Sequence, residues 1–108
     1  MAQHHAKKER LTIIAIKKAD KVDIIGPDGI TRNIKREQRI NEVFFHTFKG
    51  EAAEMVLNYM RSISLSMVNG PDATDAQLRH REGMRDMMRI VNTRIEIGER
   101  EHRQKMET

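Results

Sequence analysis

Residues 34–65 read IKREQRINEVFFHTFKGEAAEMVLNYMRSISL, and the fold is decided there. Ile40, Val43, Phe44 and Phe48 recur at helical spacing. Val56, Tyr59, Met60 and Ile63 do so again beyond Gly50, which predicts two amphipathic helices with a break near residues 47–50. All three Phe and the single Tyr of the chain fall inside this stretch. Aromatic side chains bury the most apolar area per residue, so a small core is expected to nucleate here.

The first helix is expected over about residues 35–46 and the second over about 48–66. Thr47 stands where a hydroxyl caps the second helix, with Phe48 as its first helical residue. Gly50 then allows the two helices to approach closely at their joint. On the second helix Ala52, Met55, Val56, Tyr59, Met60 and Ile63 form one broad apolar face. Asn69-Gly70-Pro71 stops it. Thr74-Asp75-Ala76-Gln77 fits a capping box and opens a third helix over about 75–97. Its expected core face is Leu78, Met84, Met87 or Met88, Val91 and Ile95. Of the methionines, Met55, Met60, Met84 and Met88 are assigned to core filling, and Met87 or Met67 to an outward position.

Upstream, KVDIIGPDGITRNI at residues 21–34 has alternating apolar positions on either side of a Gly-Pro-Asp-Gly turn and reads as a hairpin. LTIIAI at residues 11–16 reads either as a further strand or as part of a short helix over residues 8–19. The fold class is therefore mainly α, a three-helix core with a small N-terminal β-hairpin or extended arm. Residues 1–10 are expected to be a mobile polar arm, 11–98 a single small domain and 99–108 a charged tail.

At 108 residues the chain has room for one modest core. A domain of this size hides roughly 60–68% of its unfolded surface, so its stability is marginal unless a partner or a second copy adds buried area. With no Cys, disulfides, thiolate nucleophiles and cysteine-ligated zinc are excluded. No stretch approaches transmembrane length, and residues 11–16 are too short and too closely followed by lysines to be a signal-peptide core. No membrane span is expected, and a chain made in a cytosol is.

The formal charge of +4 is uneven. Residues 1–49 carry eleven Lys or Arg against six Asp or Glu, and the remainder nine against ten. Lys35, Arg36 and Arg39 lie within a turn and a half of the first helix and form a candidate contact for nucleic acid or an acidic partner, the alternative being a solvated face. Gly26-Pro27-Asp28-Gly29 lacks the spacing of a phosphate-binding loop. His4, His5 and His46 have no neighbouring nucleophile, paired carboxylate or third ligand in the sequence, which leaves no basis for a nuclease or metal site. The expectation is a non-enzyme with no catalytic residue, no cofactor and no metal.

Over residues 40–98 the chain resembles a family of small tailed-bacteriophage proteins encoded among virion genes. The resemblance rests on Val43-Phe44-Phe45-His46-Thr47-Phe48-Lys49-Gly50, an apolar helix, an Asp-containing loop at Asp72 or Asp75, and Arg81-Glu82-Gly83-Met84-Arg85. Family members typically have Pro after the Thr, where this chain has Phe48. In this light Gly83 implies close backbone contact with the second helix, and Arg81 and Arg85 imply bridges to the Asp72 loop or to Glu51 and Glu54. Phe44, Thr47, Phe48, Gly50, Arg81, Gly83 and Arg85 then form the helix joint and its packing. The resemblance implies a virion-associated structural protein that is made in the bacterial host cytoplasm. It would act by protein–protein packing as a connector, internal core or genome-ejection component, with other virion proteins as partners and several copies in a symmetric assembly. The alternative is a small basic DNA- or RNA-binding phage regulator.

Overall fold

A computed structural model describes residues 21–107 of the chain. The fold is mainly helical. Two short strands, β1 (Asp23–Ile25) and β2 (Thr31–Asn33), precede three helices, α1 (Ile34–Thr47), α2 (Glu51–Ser62) and α3 (Asp75–Glu107). The polar arm with His4 and His5, and the two readings of residues 11–16, lie outside the described residues. By compactness the chain divides into Met1–Arg39 and Ile40–Thr108.

In the first unit β1 and β2 pair antiparallel, with Asp23 opposite Asn33 and Ile25 opposite Thr31. Pro27 and Asp28 occupy the bend, and the Gly29 amide donates to the Gly26 carbonyl at 2.9 Å. Gly29 takes φ 81, a left-handed conformation that a residue with a side chain rarely adopts. The Asp28 carboxylate accepts from the Ile30 amide and also holds both terminal nitrogens of Arg32, at 3.1 and 2.7 Å. Arg32 reaches the buried carboxylate of Glu37 as well, at 2.8 Å. These hydrogen bonds, to Asp28 first and Glu37 second, raise the Arg32 pKa above its usual value, so the guanidinium stays charged. Asn33 ends the hairpin and caps the first helix, its side-chain oxygen accepting from the Lys35 amide at 2.9 Å.

In the second unit the only buried apolar side chains among the described residues are Leu57 and Met88. Much of the interior is polar. Arg94 is 2% exposed and donates to the Asn41 side-chain oxygen at 2.9 Å, while the Asn41 amide nitrogen donates to Glu101 at 3.2 Å. Arg61 of α2 donates twice to Asn92 of α3, at 3.1 and 2.9 Å.

The expected helix joint is corrected. Thr47 does not cap α2, and Phe48 is not its first residue, because the Phe48 amide donates to the Phe44 carbonyl and closes the last turn of α1. Phe48 then stacks on Phe44, ring centroids 6.0 Å apart. Gly50 precedes α2 at φ 98 with no side-chain cap, and nothing crowds it; its role is the chain reversal rather than close approach. At its other end α2 stops at Ser62 rather than near 66. The hydroxyls of Ser62 and Ser64 bond back to the carbonyls of Tyr59 and Met60, both at 2.6 Å, and compete with a further helical turn.

Helix α3 opens as expected: the Gln77 amide donates to the Thr74 hydroxyl and the Thr74 amide to the Gln77 side chain. It runs ten residues past the expected end at 97. Residues 99–107 are part of the helix, because Glu101 holds Asn41 and the His102 ring lies 5.0 Å from Phe45 and 5.5 Å from His46. The close-approach glycine is Gly98, not Gly83. A Cβ on Gly98 would lie against the Asn41 carbonyl and 2.8 Å from the Phe45 Cβ, whereas nothing lies within 4 Å of one on Gly83.

Candidate functional site

Helix α2 is apolar over more of its surface than one neighbour can cover. At about 100° per residue, Ala52, Ala53, Met55, Val56, Leu57, Tyr59 and Met60 span roughly 200° of its circumference, where packing on a single core takes a stripe of about 100°. The half with Ala53, Leu57 and Met60 is buried or half-buried. The half with Ala52, Met55, Val56 and Tyr59 is exposed, Met55 at 69%, Val56 at 51% and Tyr59 at 64%. The sequence reading took Ala52, Met55, Val56, Tyr59, Met60 and Ile63 as the core face; Met55, Val56 and Tyr59 are corrected to surface positions. The buried centre of the helix, Leu57, is one residue round from where that reading placed it.

The exposed stripe leads at Ile63 into an open groove of about 220 Å³ lined by Met60, Ile63, Met84, Met87, Met88 and Val91. With Ser64 the lining is seven residues, four of them methionines, whose unbranched, polarizable side chains adapt to irregular partners. Met87 stands 64% exposed on its edge. A second apolar hollow, about 240 Å³, is lined by Val43, Phe44, Thr47 and Phe48, so three of the joint residues border one space.

Arg81 and Arg85 act together but not on the partners expected of them. Arg81 donates to the Val68 carbonyl at 2.8 Å and Arg85 to the Met67 carbonyl, with Arg85 also on Glu82 at 3.0 Å. They fasten the backbone of the segment after α2 to α3, rather than the Asp72, Glu51 or Glu54 carboxylates. A guanidinium donating to a backbone carbonyl makes a charge-assisted hydrogen bond, stronger than one between neutral groups.

Lys35, Arg36 and Arg39 are exposed on the first turns of α1. Arg32, close by in sequence, is committed to Asp28 and Glu37. His46 and His102 face each other edge-on at the rim of a cavity of about 210 Å³ with Glu42, Glu101 and Lys105. Among the described residues no group of three or more His, Asp or Glu side chains is arranged to hold a metal, and no helix is long and apolar enough to cross a membrane.

Asn41, Leu57, Arg94 and Gly98 organise the second unit and were not singled out by sequence reasoning. Only Leu57 carried a usable sign, since it extends the apolar arc of α2 past the width of one face. No protein-family model, no curated protein and no solved structure matches the chain.

Proposed function

We propose that this chain is a non-enzymatic bacteriophage virion protein that acts by packing against other virion proteins, as a connector, internal core or genome-ejection component. The observation that supports packing as the mode of action is the apolar half of α2, with Met55, Val56 and Tyr59 exposed beside a methionine-lined groove. A surface of this kind loses free energy when covered, at about 25 cal/mol for each Å² of apolar area removed from water. The phage setting is supported by the resemblance over residues 40–98. In it the protein is made in the host cytoplasm and carried in the particle, alongside further copies of itself.

Mass spectrometry of washed, intact particles tests the reading. The protein is expected in them at a fixed ratio to known structural components. Consistent absence from particles, with abundance in infected-cell extract, overturns it.

A second reading, a small basic DNA- or RNA-binding regulator, is favoured by one observation. Lys35, Arg36 and Arg39 are exposed together at the start of α1, where cations oppose the helix dipole and an anionic ligand would offset them.

A further inference from the structure

We propose that the methionine-lined groove is a binding site for a soft monovalent cation of the Cu(I) class, held by the thioether sulfurs of Met60, Met84, Met87 and Met88. The inference goes beyond packing as a mode of action and does not depend on it.

The sequence sets the donors in place. Met84, Met87 and Met88 stand at i, i+3 and i+4 on α3, so they share one face, with Cβ atoms about 5–6 Å apart. Long helical side chains lean toward the helix N-terminus, which carries 87 and 88 back over the turn of 84. Met60, in the last turn of α2, borders the same space of about 220 Å³. The rotatable bonds of each methionine then let the four sulfurs turn toward one point.

Core filling accounts for only part of this cluster. Met88 is 4% exposed, and Met60 and Met84 are half-buried, as gap-fillers are. Met87 is 64% exposed on the rim of an open groove, where it fills nothing. Half of the eight methionines of the chain border this one space. Three thioethers therefore stand at the wall, and a fourth on the rim completes the set by folding inward.

The lining also selects the ion. A thioether is a soft, uncharged ligand that suits Cu(I). No carboxylate or imidazole lines the groove, and its one hydroxyl, on Ser64, donates to the Met60 carbonyl at 2.6 Å. Calcium and magnesium, which take oxygen ligands, and zinc, which takes thiolate, imidazole or carboxylate, find no ligand set there. A single charge also costs less than a double one to bring among neutral groups.

The test uses the whole chain and Ag(I), an air-stable ion of the same class. With methionine methyl groups labelled for NMR, Ag(I) is expected to shift the resonances of Met60, Met84, Met87 and Met88, saturating at one ion per chain. Those of Met55 and Met106, exposed and outside the groove, should stay in place. Met84→Leu and Met87→Leu nearly conserve volume, and helix content should not change. Each should weaken binding at least about 10-fold, the loss already seen when a group that merely orients a metal ligand is removed. A thioether has no proton to lose, so affinity is expected to be equal at neutral pH and at about pH 5, whereas an imidazole binds a metal only when neutral.

Met55 or Met106 resonances that move as far as those of the groove overturn the site, since any exposed thioether then serves. Undiminished affinity in both leucine variants overturns it as well. So does affinity lost at acid pH with the groove resonances unmoved, which puts the ion on imidazoles such as His46 and His102. None of these results alters the particle measurement, so the two readings fail separately.

Discussion

A Cβ added to Gly98 would stand 2.8 Å from the Cβ of Phe45 and press on the Asn41 carbonyl, whereas one added to Gly83 in the same helix would meet nothing. The two glycines are therefore expected to respond oppositely to one methyl group. Gly98→Ala should destabilise by about 1–3 kcal/mol, since the Asn41 backbone and the Phe45 Cβ must shift to admit it. Gly83→Ala should stabilise by about 0.5–1 kcal/mol, the helix-propensity difference with no packing term. Urea unfolding of both variants at one protein concentration checks this, and a stabilised Gly98→Ala would show that α1 and α3 do not approach as described. Sequence reasoning chose the wrong glycine for a physical reason. Gly83 stands among charged residues of a recognisable motif, while Gly98 comes where apolar residues thin out and reads as a helix end. What holds the helix there is polar, the Glu101 carboxylate on Asn41 and the His102 ring on Phe45, and hydrophobic periodicity does not register such contacts.

At the scale of the element, α2 shows how far periodicity carries. Its existence and amphipathic character, like those of α1, were legible in residues 34–65, and the Thr74 capping box marked the start of α3 to the residue. Which half of α2 is buried was not legible, because an apolar arc of roughly 200° satisfies the helical pattern twice. The two halves should separate on truncation. Leu57, 5% exposed, should cost about 2–5 kcal/mol as Leu57→Ala, by lost transfer energy and a residual cavity. Val56, 51% exposed, should change the stability of the single chain by no more than about 0.5 kcal/mol as Val56→Ala. Denaturant melts at the lowest workable concentration, where association contributes nothing, provide the comparison. Similar losses at both positions would mean that the stripe is covered within one chain. The helix joint was misread for a related reason. A Thr before an apolar run resembles an N-cap, but the Phe48 amide is already taken by Phe44, and the break is made by the backbone of Gly50.

For the whole molecule the deciding quantity is the uneven charge, which both functional readings claim. Of the eleven Lys and Arg in residues 1–49, five precede residue 19. Arg32 is held by Asp28 and Glu37. The exposed cluster on α1 is thus Lys35, Arg36 and Arg39. Three phosphate contacts give a salt slope of about −3 and lose about 40-fold in affinity between 50 and 200 mM salt. A protein that packs against other proteins is expected to bind duplex DNA only at low salt and to lose that binding along this shallow slope. The triple variant Lys35→Ala, Arg36→Ala, Arg39→Ala should abolish the low-salt binding yet leave incorporation into particles unchanged. A slope near −7 would bring in the five cations before residue 19, since eight contacts at about 0.9 each are then released together. Binding that persists at 200 mM salt, with that steep slope and with loss in the triple variant, would make nucleic acid the partner of the first 49 residues and replace the packing reading with the regulator.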